Sequence, residues 1–155
     1  MNIDETKAYL QRIYKLNCKI NELIEKKRSY RELSEKITQS FDGCGGSGKG
    51  NKDKISGLSA RIIDIEYEIT DKIDELVDLK QETEDQIDML PNEMERMILV
   101  LRHIRFLEFS EIARKTSYHV RTVHKIYKKA LMHLSMILSE SDKVGKERPD
   151  RELSL

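Results

Sequence analysis

The sequence predicts an all-α protein, in which a long antiparallel helical hairpin of coiled-coil-like character precedes a small helical domain. Three observations predict this class. Apolar residues recur at helical spacing along most of the 155 residues, charged residues make up 36% of the chain, and aromatic residues make up only 6%, with no Trp. This composition suits long solvated helices around a small core better than a β-sandwich or a large globule.

Residues 1–90 are expected to form the hairpin, with one helix from about Asp4 to about Ser40 and a second from about Lys52 to Met89. Each helix carries a heptad seam, on Ile13, Ile20, Tyr9, Leu16, Leu23, Tyr30 and Ile37 in the first and on Ile55, Ile62, Ile69, Leu76, Leu58, Ile65 and Leu79 in the second. Nearly equal helices favour an antiparallel pair. Since two helices alone bury little apolar surface, we expect self-association through these N-terminal helices.

The charge of the two helices agrees with their pairing. Residues 1–41 carry 9 basic and 6 acidic residues, whereas residues 52–90 carry 5 basic and 12 acidic residues. A basic helix would therefore lie against an acidic one.

Residues 42–51 contain five glycines and predict a flexible loop, because glycine loses the most backbone entropy on ordering. The stretch from Gly43 to Gly50 nearly spells a phosphate-binding P-loop. However, Gly50 stands where a P-loop has the Ser or Thr that holds magnesium, and the segment follows a charged helix rather than a strand. No nucleotide cofactor is therefore expected.

Pro91 marks the start of the second domain, residues 91–138, because proline disfavours helical angles at the residue before it and suits the first turn of a new helix. Apolar spacing then predicts three helices. They are marked by Met94, Met97, Ile98, Leu101 and Ile104, by Leu107, Ile112 and Ala113, and by Val120, Val123, Ile126, Tyr127, Ala130, Leu131 and Leu134. In the third helix, Val120, Val123 and Tyr127 are expected to pack inward. The tail 139–155 shows no apolar periodicity and is expected to be disordered.

The stretch 112–139 contains six Lys or Arg and three His but no acidic residue, in a chain with 28 basic and 28 acidic residues overall. It coincides with the last two predicted helices, which the turn Ser117-Tyr118-His119 would join. A short helix, a tight turn and a longer helix with one buried face predict a helix-turn-helix that presents its second helix to the DNA major groove. A solvated cationic face on a helical bundle is the alternative interpretation.

Nine residues form the candidate site for double-stranded DNA: Arg114, Lys115, His119, Arg121, Thr122, His124, Lys125, Lys128 and Lys129. Arg121, Thr122 and Lys125 are expected to read base edges, whereas most of the other cations would hold phosphates. A phosphate contact from His119 would depend on pH.

Several phrases of the chain resemble region four of bacterial sigma factors. They are Leu90-Pro91 with Glu93, Leu101-Arg102-His103-Ile104, Phe109-Ser110-Glu111-Ile112-Ala113, Val120-Arg121-Thr122-Val123-His124-Lys125 and Ala130-Leu131. With a heptad-bearing helical half in front, the layout resembles small phage and prophage proteins of Gram-positive bacteria, the ArpU and RinA type. The resemblance covers most of residues 5–135 and is most specific in the last 45 of them. It implies a transcriptional regulator, an activator of late phage genes, with RNA polymerase as a further partner.

Three positions depart from the region-four pattern. Phe106 stands where a glycine is usual before the first short helix, and Ser117 stands where a glycine is expected before the second. His119 occupies the capping position of that second helix, where Ser or Thr is usual, and His is a poorer cap. These departures concern the geometry of the turns.

Other chemistry finds little support in the sequence. His119 and His124 are five residues apart and so fall on different helical faces, and no Cys-x-x-Cys or His-x-x-x-His spacing occurs. No Ser or Cys is set apart as a nucleophile with a positioned base. We therefore expect no metal, no cofactor and no catalytic residue, and not an enzyme.

Two further classes of function stay open. A phage DNA-packaging protein that resembles a small terminase subunit would also join a helix-turn-helix to helical oligomerisation segments. A coiled-coil adaptor would use the basic helix against an acidic protein or RNA. No run of 18 apolar residues exists, so no membrane partner is expected, and Cys18 and Cys44 do not form a disulfide framework. We expect a cytoplasmic protein of a bacterial host cell.

Overall fold

The computed structural model describes residues 1–42 and 49–146 and confirms the all-α class. The described residues form five α-helices: α1 (Ile3–Asp42), α2 (Lys49–Asp88), α3 (Glu93–Leu99), α4 (Phe109–Thr116) and α5 (Val120–Lys146). A π-helical turn, Val100–Ile104, continues α3 without a break.

The chain divides into two compact units, and the first of them is the helical-pair unit, Lys15–Asp78. It contains most of α1 and α2. Its buried apolar side chains among the described residues are Ile20, Leu23 and Ile65, all of which lie on the predicted heptad seams. Beside this seam, the Lys27 and Arg31 side chains contact a carboxylate oxygen of Glu66 at 3.2 and 3.1 Å. The unit therefore holds α1 beside α2 with a narrow apolar strip and an ion-pair cluster.

The second unit joins Met1–Tyr14 to the chain from Leu79 onward, and it is described here to Lys146. Its larger core cluster lies between helices from distant parts of the sequence and contains Leu10, Ile87, Leu90, Leu99, Ala130, Leu131, Leu134 and Leu138. A second cluster contains Ile98, Leu101, Ile112, Ala113 and Val123. Consecutive residues of α3, Ile98 and Leu99, belong to different clusters, so α3 packs on both of its sides. We call this unit the C-terminal unit.

Local chemistry explains where α3 begins. The Asn92 side-chain oxygen accepts hydrogen bonds from the backbone N–H groups of Met94 (2.9 Å) and Glu95 (3.2 Å), which satisfies two donors that a helix start leaves unpaired. Pro91 directly precedes this cap and so lies before the first turn of α3, whereas the sequence predicts it within that turn. The helix boundary at Pro91-Asn92 is therefore fixed by side chains that the sequence shows directly.

The loop predicted for residues 42–51 is wrong at both of its ends. Asp42 is the last residue of α1, and Lys49 to Asn51 belong to the first turn of α2. Glycine inside a helix costs only about 1 kcal/mol relative to alanine, so Gly50 does not prevent the helix from starting there. Residues 43–48, including Cys44, lie outside the described residues.

The disordered tail predicted for residues 139–155 is wrong for its first eight residues. The helix α5 continues to Lys146. Leu138 is buried in the larger core cluster, and the hydroxyls of Ser139 and Ser141 donate hydrogen bonds to backbone carbonyls one turn earlier, those of Ser135 and Ile137. These contacts hold the helix at the point where the apolar pattern ends. Each further residue adds a backbone hydrogen bond to a helix that already exists, so the helix can continue without burying more side chains. Residues 147–155 lie outside the described residues.

Among residues 1–42 and 49–146, two residues other than glycine adopt the left-handed backbone region, Phe106 and Ser117, each with φ of 59°. Each follows a helical segment and lets the next N–H bond back to it: Leu107 N–H donates to the Leu101 carbonyl (3.0 Å), and Tyr118 N–H donates to the Ala113 carbonyl (3.2 Å). Such ends favour glycine, because a Cβ is disfavoured at positive φ. These are the two positions at which the sequence lacks an expected glycine.

Replacing Ser117 with glycine should stabilise the protein, because glycine adopts the left-handed region without steric cost. We expect Ser117→Gly to raise the free energy of unfolding by about 0.5 to 1 kcal/mol in chemical denaturation. The matched control is Ser110→Gly, at an exposed helical position in α4, which should lower it. Equal destabilisation by both changes would contradict the assignment of strain to Ser117.

Candidate nucleic-acid interface

The candidate interface is built on α4, the exposed residues Ser117 to His119, and α5. At the start of α4, Glu108 N–H donates to the carboxylate of Glu111 at 2.8 Å and so forms half of a capping box. Further along, Ile112 and Ala113 pack with Val123 of α5 in the second core cluster. This contact fixes α4 against the first turns of α5.

The prediction that Val120 packs inward from α5 is wrong. Val123 is fully buried and Tyr127 is half-buried, as predicted, but Val120 keeps 41% of its surface exposed. Val120 is the first helical residue after an exposed turn, so it lies at the end of the contact between α4 and α5. The buried face of α5 therefore begins at Val123.

Six cationic side chains of α4 and of the first three turns of α5 are exposed: Arg114, Lys115, Arg121, Lys125, Lys128 and Lys129. Within the described part of the chain, none of the six forms an ion pair with an acidic residue. By contrast, Lys27 and Arg31 of α1 are both paired with Glu66. The positive charge of α4 and α5 is therefore available to an external anion.

The other predicted site residues differ in exposure. His119 and His124 are exposed, whereas Thr122 is half-buried and reaches solvent only in part. On α5, Arg121, Lys125 and Lys128 follow one another at intervals of four and three residues, so these three lie on one side of the helix. Arg114 and Lys115 lie in the last turn of α4, directly before the turn.

A cluster of aromatic rings supports this side of α5, and the sequence did not predict it. The ring of Phe109 lies 4.2 Å from the ring of His124 and meets the ring of Tyr127 edge-on at 5.1 Å, between centroids. The guanidinium carbon of Arg102 lies 4.5 Å from the centroid of the same Phe109 ring. The only signal in the sequence was the aromatic residue at the first position of the short helix. The rings are brought together by packing between helices, which periodicity does not reveal.

Behind this cluster lies a buried polar pair. A ring nitrogen of His103 lies 3.0 Å from the hydroxyl of Tyr127, and His103 is only 9% exposed. Burial lowers the pKa of His103 to about 4, and the nearby positive charge of Arg102 acts in the same direction. Burial also raises the pKa of Tyr127 above its usual value. His103 is therefore neutral near neutral pH and belongs to the core rather than to the cationic surface.

Two searches of the described residues concern other kinds of site. No group of three or more His, Cys, Asp or Glu is arranged to hold a metal ion among residues 1–42 and 49–146. No helix in the same part of the chain is both long and apolar enough to cross a membrane. The buried carboxylate of Glu95 has a partner in the Nδ1 atom of His133, at 2.8 Å.

Comparison of the chain with protein-family models, with curated proteins and with solved structures gives no match. The likeness to sigma region four therefore depends on the short phrases of the sequence. Function has to be argued from the described side chains themselves.

The lowered pKa of His103 predicts a pH dependence of stability. In the unfolded chain the residue titrates near ~6.5, so between that pH and about 4 the unfolded state binds more protons than the folded state. Stability from neutral His103 is thus complete above pH ~6.5 and decreases as the pH falls towards 4, by roughly 2 to 3 kcal/mol at most. We expect the free energy of unfolding of His103→Gln to fall less between pH 7 and pH 4.5 than that of the unsubstituted protein. Urea unfolding at the two pH values measures the difference.

The control for this experiment is His119→Gln, which changes an exposed histidine of the same chain. It should keep the pH dependence of the unsubstituted protein, because it leaves His103 and its buried surroundings in place. If His103→Gln and His119→Gln lose stability equally between the two pH values, the assignment to His103 is wrong.

Proposed function

We propose that the protein is a sequence-specific DNA-binding transcriptional regulator that places α5 in the major groove. The observation that carries this proposal is the set of exposed cations on α4 and α5, none of them paired with a described acidic residue. A helix held on a second helix through a three-residue turn is the geometry by which helix-turn-helix proteins dock in a groove. Phosphates are the anions that such a surface fits best.

The roles of the residues follow from their place on α5 and α4. Arg121 and Lys125, one turn apart near the start of α5, are the candidates for contacts with base edges. Lys128, Lys129, Arg114 and Lys115 are the candidates for phosphate contacts that fix the orientation of the protein on the duplex. Thr122 has only part of its side chain available, so its contribution to base contacts is the smallest of the three residues assigned to them.

The biological setting is proposed from the resemblance to sigma region four and to regulators of the ArpU and RinA type. A protein of this kind would act in the cytoplasm of a bacterial host cell on the promoters of late phage genes. RNA polymerase is then a second partner. The same helices would also serve a packaging protein that resembles a small terminase subunit, and solution mass separates the two.

The proposal predicts that removing two cations from α5 weakens binding to a DNA fragment recovered by genomic pull-down from the host. We expect Arg121→Ala combined with Lys125→Ala to reduce affinity in a gel shift on the order of 100-fold. The dependence of log affinity on log salt concentration should keep nearly the same slope, because the four cations assigned to phosphate contacts are unchanged.

The matched control is Lys26→Ala combined with Lys36→Ala, which removes two exposed cations from α1. It should leave both the affinity and the salt dependence unchanged. Unchanged binding by the α5 double variant would refute the proposed function, and so would equal losses in both double variants.

We also propose that the protein self-associates through α2 in the helical-pair unit. Three large apolar side chains there are strongly exposed, Ile63 (50%), Tyr67 (70%) and Val77 (60%). Their spacing of four and ten residues places them on one side of α2, and Ile63 lies two residues from buried Ile65, on the opposite side of the helix. A second copy is the favoured occupant, because the unit by itself buries so few apolar side chains.

Charge on this side of α2 should therefore break the association. We expect Tyr67→Glu combined with Val77→Glu to reduce the solution mass, measured by light scattering, to that of a monomer. The control is Val144→Glu on α5, a site with the same 70% exposure as Tyr67, which should leave the mass unchanged. A monomeric unsubstituted protein would contradict the self-association, and a large ring would favour packaging over regulation.

A further inference from the structure

We propose that His124 determines part of the DNA sequence preference, and that Phe109 and Arg102 act as positioning residues that hold its ring. This inference depends on the proposed function and assigns a particular mode of recognition to it. The ring of His124 is thus already held in position for contact with a base edge before the DNA binds.

The first step of the argument is the position of His124 on α5. It lies three residues after Arg121 and four residues before Lys128, so it shares one side of the helix with both. The residue is exposed, although its ring lies only 4.2 Å from the ring of Phe109 between centroids. The imidazole is therefore in contact with an aromatic ring of the protein, tilted by 37° to it, while the residue as a whole stays exposed.

The second step is that Phe109 is itself held in place. Its ring meets Tyr127 edge-on at 5.1 Å, and the guanidinium of Arg102 lies 4.5 Å from its centroid. Arg102 in turn donates a hydrogen bond to the Leu107 carbonyl at 3.0 Å. Tyr127 is fixed by its contact with buried His103 at 3.0 Å. Contacts thus run without a break from the core of the C-terminal unit to the exposed ring of His124.

The third step is chemical. Neutral imidazole has one N–H donor and one acceptor nitrogen, and its protonated form has two donors. In the major groove, purine N7 and guanine O6 accept hydrogen bonds, so a fixed imidazole edge can distinguish one base pair from another. The neighbouring lysines have long flexible side chains, which lose rotamer freedom on binding. A histidine whose ring is held against Phe109 loses less rotamer freedom on binding than a lysine. A donor in a fixed position also distinguishes better between base pairs.

The experiment selects duplexes from a randomised library with the unsubstituted protein, with four single variants and with the double variant His124→Ala, Phe109→Leu. His124→Ala removes the imidazole ring. Phe109→Leu removes the aromatic ring that contacts His124 but keeps an apolar side chain, whereas Phe109→Tyr keeps an aromatic ring at this position. Met136→Ala changes an exposed side chain of the same helix that lies outside the candidate DNA site. Melting temperatures are recorded for all variants in parallel.

The expected result is a local change in sequence preference. His124→Ala should lose about tenfold discrimination at one base pair while its affinity for random duplex stays within about twofold. Phe109→Leu should weaken the preference at that same base pair, and Phe109→Tyr should keep it. The double variant His124→Ala with Phe109→Leu should discriminate no worse than His124→Ala alone, because both changes remove one interaction. Met136→Ala should leave every base preference unchanged.

Two results would overturn this inference alone. One is a His124→Ala protein that keeps the full preference profile, while Arg121→Ala combined with Lys125→Ala still abolishes binding. The other is a Phe109→Leu protein that loses preference evenly at all base pairs together with its melting temperature, as expected if the ring only supports the fold. An unsubstituted protein that binds no duplex would overturn the proposed function and this inference together.

Discussion

The packing of Ile112 and Ala113 against Val123 is the contact on which the candidate interface depends. An eight-residue helix has no stability of its own in water, since isolated helices shorter than about 12 residues are marginal. The helix α4 exists because its apolar side is buried on α5, and the left-handed Ser117 lets the chain turn back tightly enough for that burial. The same contact sets the rotation of α5, and so decides which of its side chains face outward.

That rotation turns a neutral protein into one with a cationic surface. The chain has equal numbers of basic and acidic residues, and in the helical-pair unit Lys27 and Arg31 are both paired with Glu66. On α5 the apolar residues occupy the inner side, so every cation of its first three turns lies on the remaining surface without a described acidic residue beside it. The electrostatic attraction for a polyanion thus depends on which side of the helix carries the cations as much as on how many cations there are.

Much of this architecture was visible in the sequence, where a periodic pattern or a capping residue specified it. The heptad positions predicted the burial of Ile20, Leu23 and Ile65, and Pro91 predicted the break before α3. The errors occurred where local signals compete with their surroundings: Val120 continues the apolar pattern but lies at the end of the buried contact, and Leu138 anchors a helix beyond the last apolar repeat. The contact between Phe109 and His124 joins residues 15 apart, and no local rule relates two such positions.

The π-helical turn at Val100–Ile104 has a consequence for how this region tolerates change. A π-helical turn holds one residue more than an α-helical turn, so the residues before it and after it follow two different helical phases. In this protein Ile98 and Leu99, just before the turn, pack into the two core clusters, whereas Arg102 and His103, inside the turn, contact Phe109 and Tyr127. Deleting one residue inside the turn would restore a single phase and rotate everything downstream by about 100°. The surface formed by the residues after the turn therefore depends on how many residues the turn contains. A related chain that is one residue shorter at this point would present a different surface from the same helices.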